Sequence, residues 1–187
     1  MMDRRRALMG AQGESGDTHL LYSLYNYVFN MEYISTGVEA LSSDISVTIL
    51  LDINITSNPT SGNGSTTKLI RCGTGFNLGK KSGYDTYYQI QTMTTWSGSN
   101  VGITTTSSEG RKRFAITHEA GSNDFYIKAK MGTDQPTQTI KTATFVPRTN
   151  ILFFGAATAD LLTTGTINKA EVYDRILSQE ELDAFFA

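Results

Sequence analysis

The stretch Asp44-Ile45-Ser46-Val47-Thr48-Ile49-Leu50-Leu51-Asp52-Ile53-Asn54-Ile55 alternates apolar with polar side chains, broken only at Leu50. Successive side chains of a β-strand point to opposite faces, so this period of two predicts a long strand with one face on a core. The other face, which carries the polar residues of the stretch, is expected to meet solvent or a groove. Turn-forming residues at 58–65 then end the strand.

Shorter strand patterns lie mainly after this one. Phe114, Ile116 and His118 alternate with charged or small residues, and a turn at 119–124 leads into a second alternating run that ends at Met131. This pattern predicts a β-hairpin. Other strand patterns cover residues 68–72, 87–93, 101–105, 150–155 and 167–173. Many short strands with turns between them indicate an all-β sandwich.

One short helix is predicted at the carboxyl end. Ser178-Gln179-Glu180-Glu181 matches a capping box, in which the serine hydroxyl and the glutamate carboxylate accept hydrogen bonds from two backbone N–H groups. Leu177 before the cap and Leu182 after it are placed to form a hydrophobic staple. We expect Leu182, with Phe185 or Phe186, to fasten this helix to the sandwich.

The closing segment, residues 165–182, resembles the end of laminin-G-like domains of the concanavalin A-like superfamily. In that family a glycine leads into a final strand that ends in Tyr, followed by a polar residue, Arg, Leu, Ser and an acidic helix start. Residues 32–38 resemble the family's opening strand, residues 113–131 its central hairpin, and residues 150–156 its penultimate strand. One departure is Lys130-Met131-Gly132, where relatives carry Asn-Gly, and it weakens any transfer of loop function.

The resemblance spans roughly residues 20–187 and implies a two-sheet antiparallel jelly-roll sandwich with a short carboxyl-terminal helix. It also implies a curved sheet whose concave face holds sugars in many relatives. Relatives often carry structural calcium as well, for which Asn123, Asp124 and Asp160 would supply oxygen ligands here. Fold alone does not establish function.

Composition narrows the classes of function. The 187 residues carry a formal net charge of -2, which disfavours a nucleic-acid binder because phosphate neutralisation needs an excess of Lys and Arg. A lone cysteine, Cys72, allows no disulfide within the chain. The sequence has no apolar run of about 18 residues, so no membrane insertion is expected.

Residues 1–19 are predicted to be a flexible or attachment leader. No apolar stretch follows the Arg4-Arg5-Arg6 run, so no export signal is expected.

Catalytic patterns are missing from the strands. Retaining glycoside hydrolysis needs two carboxyl groups about 5–5.5 Å apart, and no strand here carries the alternating acidic residues that would place them so. Glu171 and Asp174 have the wrong spacing for one strand face. His19 and His118 are too few for a three-histidine zinc site, and a buried role is expected for His118. We therefore predict no catalytic residues, no cofactor and no metal site, with calcium as the one alternative.

The candidate ligand residues form two groups. Tyr84, Tyr87 and Trp96 lie in a stretch rich in Thr, Ser and Gly, where flat rings could stack on sugars. Arg113, Tyr126 and Lys128 lie on the predicted hairpin, where basic side chains would suit an acidic polysaccharide. The alternative is that Trp96 fills a loop and that the lysines simply cover a solvated strand face.

These observations favour a non-catalytic module that recognises carbohydrate, or a surface protein, on a cell or virion. A phage or prophage particle is a fitting home, because virion proteins remain cytoplasmic until lysis releases them and need no signal peptide. The first alternative is a structural domain that decorates a particle and binds no sugar. The second is a glycan hydrolase or lyase whose side chains converge from separate strands.

Overall fold

The computed structural model describes residues 19–30, 33–39, 45–57, 67–72, 76–80, 87–92, 100–104, 109–122, 125–132, 138–142, 151–155 and 164–187. Within these ranges the chain forms strands and one helix, α1 (Gln179–Phe186). The strands are β1 (Leu20–Asn30), β2 (Tyr33–Glu39), β3 (Val47–Ser57), β4 (Thr67–Cys72), β5 (Phe76–Lys80), β6 (Tyr87–Thr92), β7 (Asn100–Thr104), β8 (Gly110–His118), β9 (Phe125–Met131), β10 (Gln138–Thr142), β11 (Ile151–Gly155) and β12 (Thr164–Tyr173).

The strands form two six-stranded sheets in which every neighbouring pair is antiparallel. Sheet A has the order β1-β12-β3-β8-β9-β10, and sheet B has the order β2-β11-β4-β5-β6-β7. The two sheets share one apolar core, to which Ile49 and Phe114 of sheet A and Ile70 and Phe154 of sheet B contribute. The predicted all-β jelly-roll sandwich with a short carboxyl-terminal helix is confirmed.

Strand β3 follows the predicted pattern on its inner face and departs from it on its outer face. Val47, Ile49, Leu51, Ile53 and Ile55 are all buried in the core. The expectation that the polar face meets solvent or a groove is wrong for the middle of the strand. There the outward-facing residues are buried as well, because the segment after β12 and neighbouring side chains cover them: Thr48, Leu50 and Asp52.

The central hairpin, β8 and β9, forms as predicted. Phe114 and Ile116 face the core opposite Ala129 and Ile127, and His118 is buried, as expected. The predicted opening strand at 32–38 corresponds to β2. It is preceded by β1, which the sequence pattern did not predict. Strand β1 has a register shift between Leu20 and Tyr22 and a left-handed residue at Asn26, where φ is 51°, so its sequence lacks a regular alternation.

Helix α1 begins as the capping box predicts. The Ser178 hydroxyl accepts a hydrogen bond from the Glu181 N–H at 3.2 Å, and Glu181 Oε2 accepts one from the Ser178 N–H at 2.7 Å. Leu177 and Phe186 are buried against Leu50 of β3 and Ala115 of β8, with Leu182 packed beside them. In the described part of the chain, no helix has the length and apolar character needed to cross a membrane.

Gly165 sits where β12 approaches β3 closely. A Cβ atom at this position would lie 2.2 Å from the carbonyl oxygen of Asn54, which is backbone and cannot rotate away. We therefore expect Gly165→Ala to lower the free energy of unfolding by about 3 kcal/mol, at the upper end of the range for overpacking. Urea unfolding would measure it. Gly121→Ala is the control for backbone strain alone: φ is 77° there and an added Cβ would meet nothing within 4 Å, so we expect a smaller loss of about 1 kcal/mol. An equal loss in both variants would contradict the close-approach argument.

Lys112 is an ionisable residue on the inner face of β8. It is buried, its ammonium donates to the Glu109 carbonyl at 2.7 Å, and burial lowers the pKa of Lys112 from 10.5 to about 8, against the opposing charge of Glu109. Because the unfolded chain holds this proton to higher pH, the folded state gains stability relative to the unfolded state as pH rises from 8 to 10.5.

We expect the free energy of unfolding of Lys112→Met to rise less than that of the unchanged protein between pH 8 and 10.5. Urea titrations across this interval would measure both slopes, and groups that titrate in both proteins cancel in the comparison. Lys130→Met, on the opposite face of the neighbouring strand, should retain the full rise. Parallel slopes for Lys112→Met and the unchanged protein would show that Lys112 is not responsible.

Candidate functional site

Of the first group of predicted ligand residues, only Tyr87 lies on a described strand. Tyr84 and Trp96 lie outside the described residues. Tyr87 opens β6, which pairs with β5 on one side and with the edge strand β7 on the other, but its side chain is outside the described set. Their contact with a ligand therefore stays a prediction.

The second group lies on the outer face of sheet A, away from the core. Lys128 stands opposite Ala115, and Tyr126 opposite Thr117, while Arg113 pairs with Lys130. The structure thus brings Arg113, Tyr126 and Lys128 onto one face of the hairpin, as the alternation predicts. It places them on a different sheet from Tyr87.

Helix α1 covers two of these three side chains. Arg113 is only 4% exposed, and its guanidinium donates to the Phe185 carbonyl at 3.1 Å. Lys128 donates to the Asp183 carboxylate at 2.8 Å and lies 5.3 Å from the centre of the Phe186 ring. Tyr126, in contrast, is 45% exposed.

These contacts follow from the electrostatics of a helix end. The last carbonyls of a helix have no partners within the helix, and the helix dipole favours positive charge there. Arg113 meets the Phe185 carbonyl, and Lys130 donates to the Phe186 carbonyl at 3.2 Å. Burial lowers the pKa of Arg113, and the nearby Arg111 charge lowers it further. The basic side chains of the hairpin thus hold α1 on sheet A, and their role as ligand contacts stays a prediction.

The beginning of α1 is held by a second charged contact. Arg175 donates to both carboxylate oxygens of Glu181, at 2.6 and 2.9 Å. The Arg175 hydrogen bonds and the Ser178 backbone N–H lower the pKa of Glu181 to about 2. Thr48 of β3 adds two contacts: its hydroxyl donates to the Arg175 carbonyl at 2.7 Å and accepts from the Leu177 N–H at 3.1 Å. Both ends of α1 are therefore fastened to sheet A.

Beside α1, a buried carboxylate organises the β1 side of the same face. Glu171 is 2% exposed, and its two oxygens accept hydrogen bonds from the hydroxyls of Tyr25 and Tyr173. The Lys169 ammonium lies 2.9 Å from Glu171 Oε2. Burial, followed by the hydrogen bond to Glu171, raises the pKa of Tyr25, so its hydroxyl stays protonated as a donor.

A second buried carboxylate lies on the adjacent strand. Asp52 accepts hydrogen bonds from Arg111, through Nε at 3.0 Å to Oδ1 and through Nη2 at 2.6 Å to Oδ2. It also accepts one from the Asn168 amide at 3.0 Å. No local sequence pattern marks Asp52 or Tyr25 as a site residue. Asp52 is one polar residue of an alternating strand, and Tyr25 lies in a segment where no strand was predicted.

Metal binding has no candidate among the residues that the structure describes. These ranges hold no group of three or more His, Cys, Asp or Glu side chains arranged to bind an ion. The residues suggested for calcium, Asn123, Asp124 and Asp160, all lie outside them. The expectation about calcium therefore stays untested at these positions.

No protein-family model matches the chain, and no curated protein matches its sequence. Solved structures do match its fold. One is from work on botulinum neurotoxin type C, whose cell entry depends upon interaction with two ganglioside molecules; it has a TM-score of 0.55 and 12% identity, over 90% of this chain and 50% of that one. Another is the exoplasmic/lumenal domain of VIP36 in its Ca²⁺/Man-bound form, with a TM-score of 0.57 and 8% identity, over 86% of this chain and 83% of that one.

A third similar structure is a Trypanosoma rangeli sialidase, with a TM-score of 0.53 and 14% identity, over 76% of this chain but 22% of that one. This chain spans about half the length of the botulinum neurotoxin chains of types C and D that it matches. At such identities the similarity establishes the fold, an antiparallel β-sandwich of the lectin-like type. The concanavalin A-like architecture expected from the closing segment is consistent with all three.

The contacts of Arg113 predict a measurable structural role. Replacing it with Ala removes a charged donor from the Phe185 carbonyl, so we expect the free energy of unfolding to fall by about 1.5–3 kcal/mol. The variant should also increase the rate of amide hydrogen exchange in α1 more than in the core strands. Tyr126→Phe is a control on the same face: it keeps the half-exposed ring and should lose less stability than Arg113→Ala. An Arg113→Ala protein as stable as the control would mean that α1 docks without this contact.

Proposed function

We propose that the chain is a non-catalytic binding module that recognises carbohydrate on a cell or virion surface. The observation that carries this proposal is the two-sheet lectin-like sandwich. Its fold is shared with a toxin whose cell entry depends on gangliosides and with a lumenal domain in a Man-bound form. Because one fold serves many functions, the aromatic stretch at residues 84–96 is the second support for a sugar site.

The proposed primary site lies in that stretch, with Tyr84, Tyr87 and Trp96 as its aromatic residues. Aromatic rings offer a broad apolar face at a low cost in conformational entropy, and a tyrosine or tryptophan also carries one polar group. Such a surface suits the C–H face of a sugar ring. Tyr126 extends the proposal to the outer face of sheet A, where it is the exposed member of the second group.

Among the described residues, the contacts of two buried carboxylates favour binding over hydrolysis. Glu171 is engaged by two tyrosine hydroxyls and a lysine, and Asp52 by an arginine and an amide. Glycoside hydrolysis needs one carboxyl group as a proton donor and another facing the sugar. The contacts of both carboxylates are with side chains of the chain itself, which suits a role in holding the surface rigid.

A second candidate function is a structural one, in which the domain decorates a particle by packing against another protein. The observation in its favour is the edge strand β1, where Leu21 and Val28 are exposed and no residue is charged. Unpaired, uncharged edges are places where another strand can add. In either case we propose a phage or prophage particle as the setting, with the chain cytoplasmic until release.

A glycan array tests the primary proposal, with the unchanged protein and Trp96→Ala each screened with and without calcium. We expect the unchanged protein to bind a defined set of glycans, and Trp96→Ala to weaken that signal roughly two- to tenfold, because an aromatic ring contact contributes on the order of 0.5–1.5 kcal/mol. Tyr22→Phe is the control, since the Tyr22 ring stacks on Phe154 at the core, with the ring centroids 6.0 Å apart. A blank array with folded protein would favour the structural candidate.

A further inference from the structure

Helix α1 covers only part of the outer face of sheet A. It packs on Leu50 and Ala115 and meets Arg113, Lys128 and Lys130. The neighbouring part of the same face, toward β1, carries the side chains organised by the two buried carboxylates. We call this part the outer polar face and define it by Tyr25, Lys169, Asp52, Asn168 and Arg111.

The strand register arranges these residues in a row across the sheet. Tyr25 of β1 stands opposite Lys169 of β12, and Lys169 stands opposite Asp52 of β3. Arg111 lies on the next strand, β8, and reaches back to Asp52. Adjacent strands are about 4.8 Å apart, so the row spans roughly 14 Å over three strand spacings. That length suits a chain of sugar units better than a single small ion.

The carboxylate oxygens of this surface already accept hydrogen bonds, whereas its two cations have further N–H donors. Both oxygens of Asp52 and of Glu171 accept hydrogen bonds from within the chain. An arginine carries five N–H donors, and Arg111 directs only its Nε and Nη2 groups to Asp52. A lysine carries three, and among the described contacts Lys169 directs one to Glu171. The exposed face thus offers donors on two cations, which select an acidic ligand.

Next to these cations lies an exposed aromatic and apolar strip. The Tyr25 ring is 46% exposed although its hydroxyl is held by Glu171, so the ring is accessible yet fixed in position. Val28, on the same strand, is 74% exposed. A fixed aromatic ring loses little conformational freedom when a ligand binds. The apolar strip suits the C–H face of a sugar, and the cations suit its acidic substituent.

We propose that the outer polar face is a second binding surface, specific for acidic carbohydrate. Tyr25 contacts a sugar ring, and Lys169 and Arg111 bind carboxylate or sulfate groups along the chain. Glu171 and Asp52 act as positioning residues that hold the tyrosine, the lysine and the arginine in place. The surface belongs to sheet A and is independent of the proposed site on sheet B, so it does not rest on that site being correct.

The test uses the full chain and a sulfated uronate hexasaccharide, with the same hexasaccharide desulfated and carboxyl-reduced as the neutral probe. We expect calorimetry to show binding of the acidic probe, weakening as salt is raised, and at least tenfold weaker binding of the neutral probe. Amide shifts in the NMR spectrum of the unchanged protein should centre on β1, β12, β3 and β8. No binding of the acidic probe, or shifts centred on sheet B, would overturn the proposal.

Variants separate the surface from general charge attraction. Lys169→Gln and Arg111→Gln should each weaken binding of the acidic probe about tenfold, and Tyr25→Leu should weaken it similarly. The matched control is Arg71→Gln, which removes the same charge from β4 of the other sheet. An equal loss in Arg71→Gln would mean unspecific attraction and would overturn the proposal.

One further variant keeps this proposal distinct from the proposed function. Trp96→Ala should leave binding of the acidic probe unchanged, even if it abolishes signals on the glycan array. Should the array be blank while the hexasaccharide binds through Lys169 and Arg111, the outer polar face stands and the sheet B site fails. If Trp96→Ala instead abolishes hexasaccharide binding, the acidic glycan binds at sheet B and the outer polar face is refuted.

Discussion

The burial of β3 on both faces is the constraint on which the rest of the structure depends. Its inner face supplies the centre of the core between the two sheets, and its outer face lies beneath α1 and the segment that leads to it. Thr48 joins these layers, because its hydroxyl is bonded to two backbone groups of that segment. The outer face of β3, which would otherwise be exposed to solvent, is therefore buried. In the described part of the chain, α1 and the segment before it form a third layer over part of sheet A.

Elements with a clear local sequence pattern could be predicted from the sequence, whereas strands defined mainly by their pairing with a neighbouring strand could not. The alternation of β3, the hairpin of β8 and β9, and the capping box of α1 are each encoded within a few neighbouring residues. Strand β1 is different: its apolar run is irregular at Leu20 and Asn26, and its pairing with β12 provides the regularity. Strands β5 and β10 were also not predicted.

The candidate site shows the same limit more sharply. Alternation correctly placed Arg113, Tyr126 and Lys128 on one face, yet it could not show that α1 covers Arg113 and Lys128. The Glu171 cluster joins residues 146 positions apart in sequence, and the Asp52 cluster joins residues up to 116 apart. Such polar networks depend on which strands become neighbours, and no local spacing records that.

The position of β12 has a consequence for how the chain is made. This strand lies between β1 and β3, although it comes last among the described strands, and β11 likewise lies between β2 and β4. During synthesis, the ribosome must release nearly the whole domain before either sheet can close its gap. Such non-local pairing slows folding and leaves strand edges exposed to other chains meanwhile. The step most open to misassembly is thus the insertion of two late strands into sheets that have already begun to form.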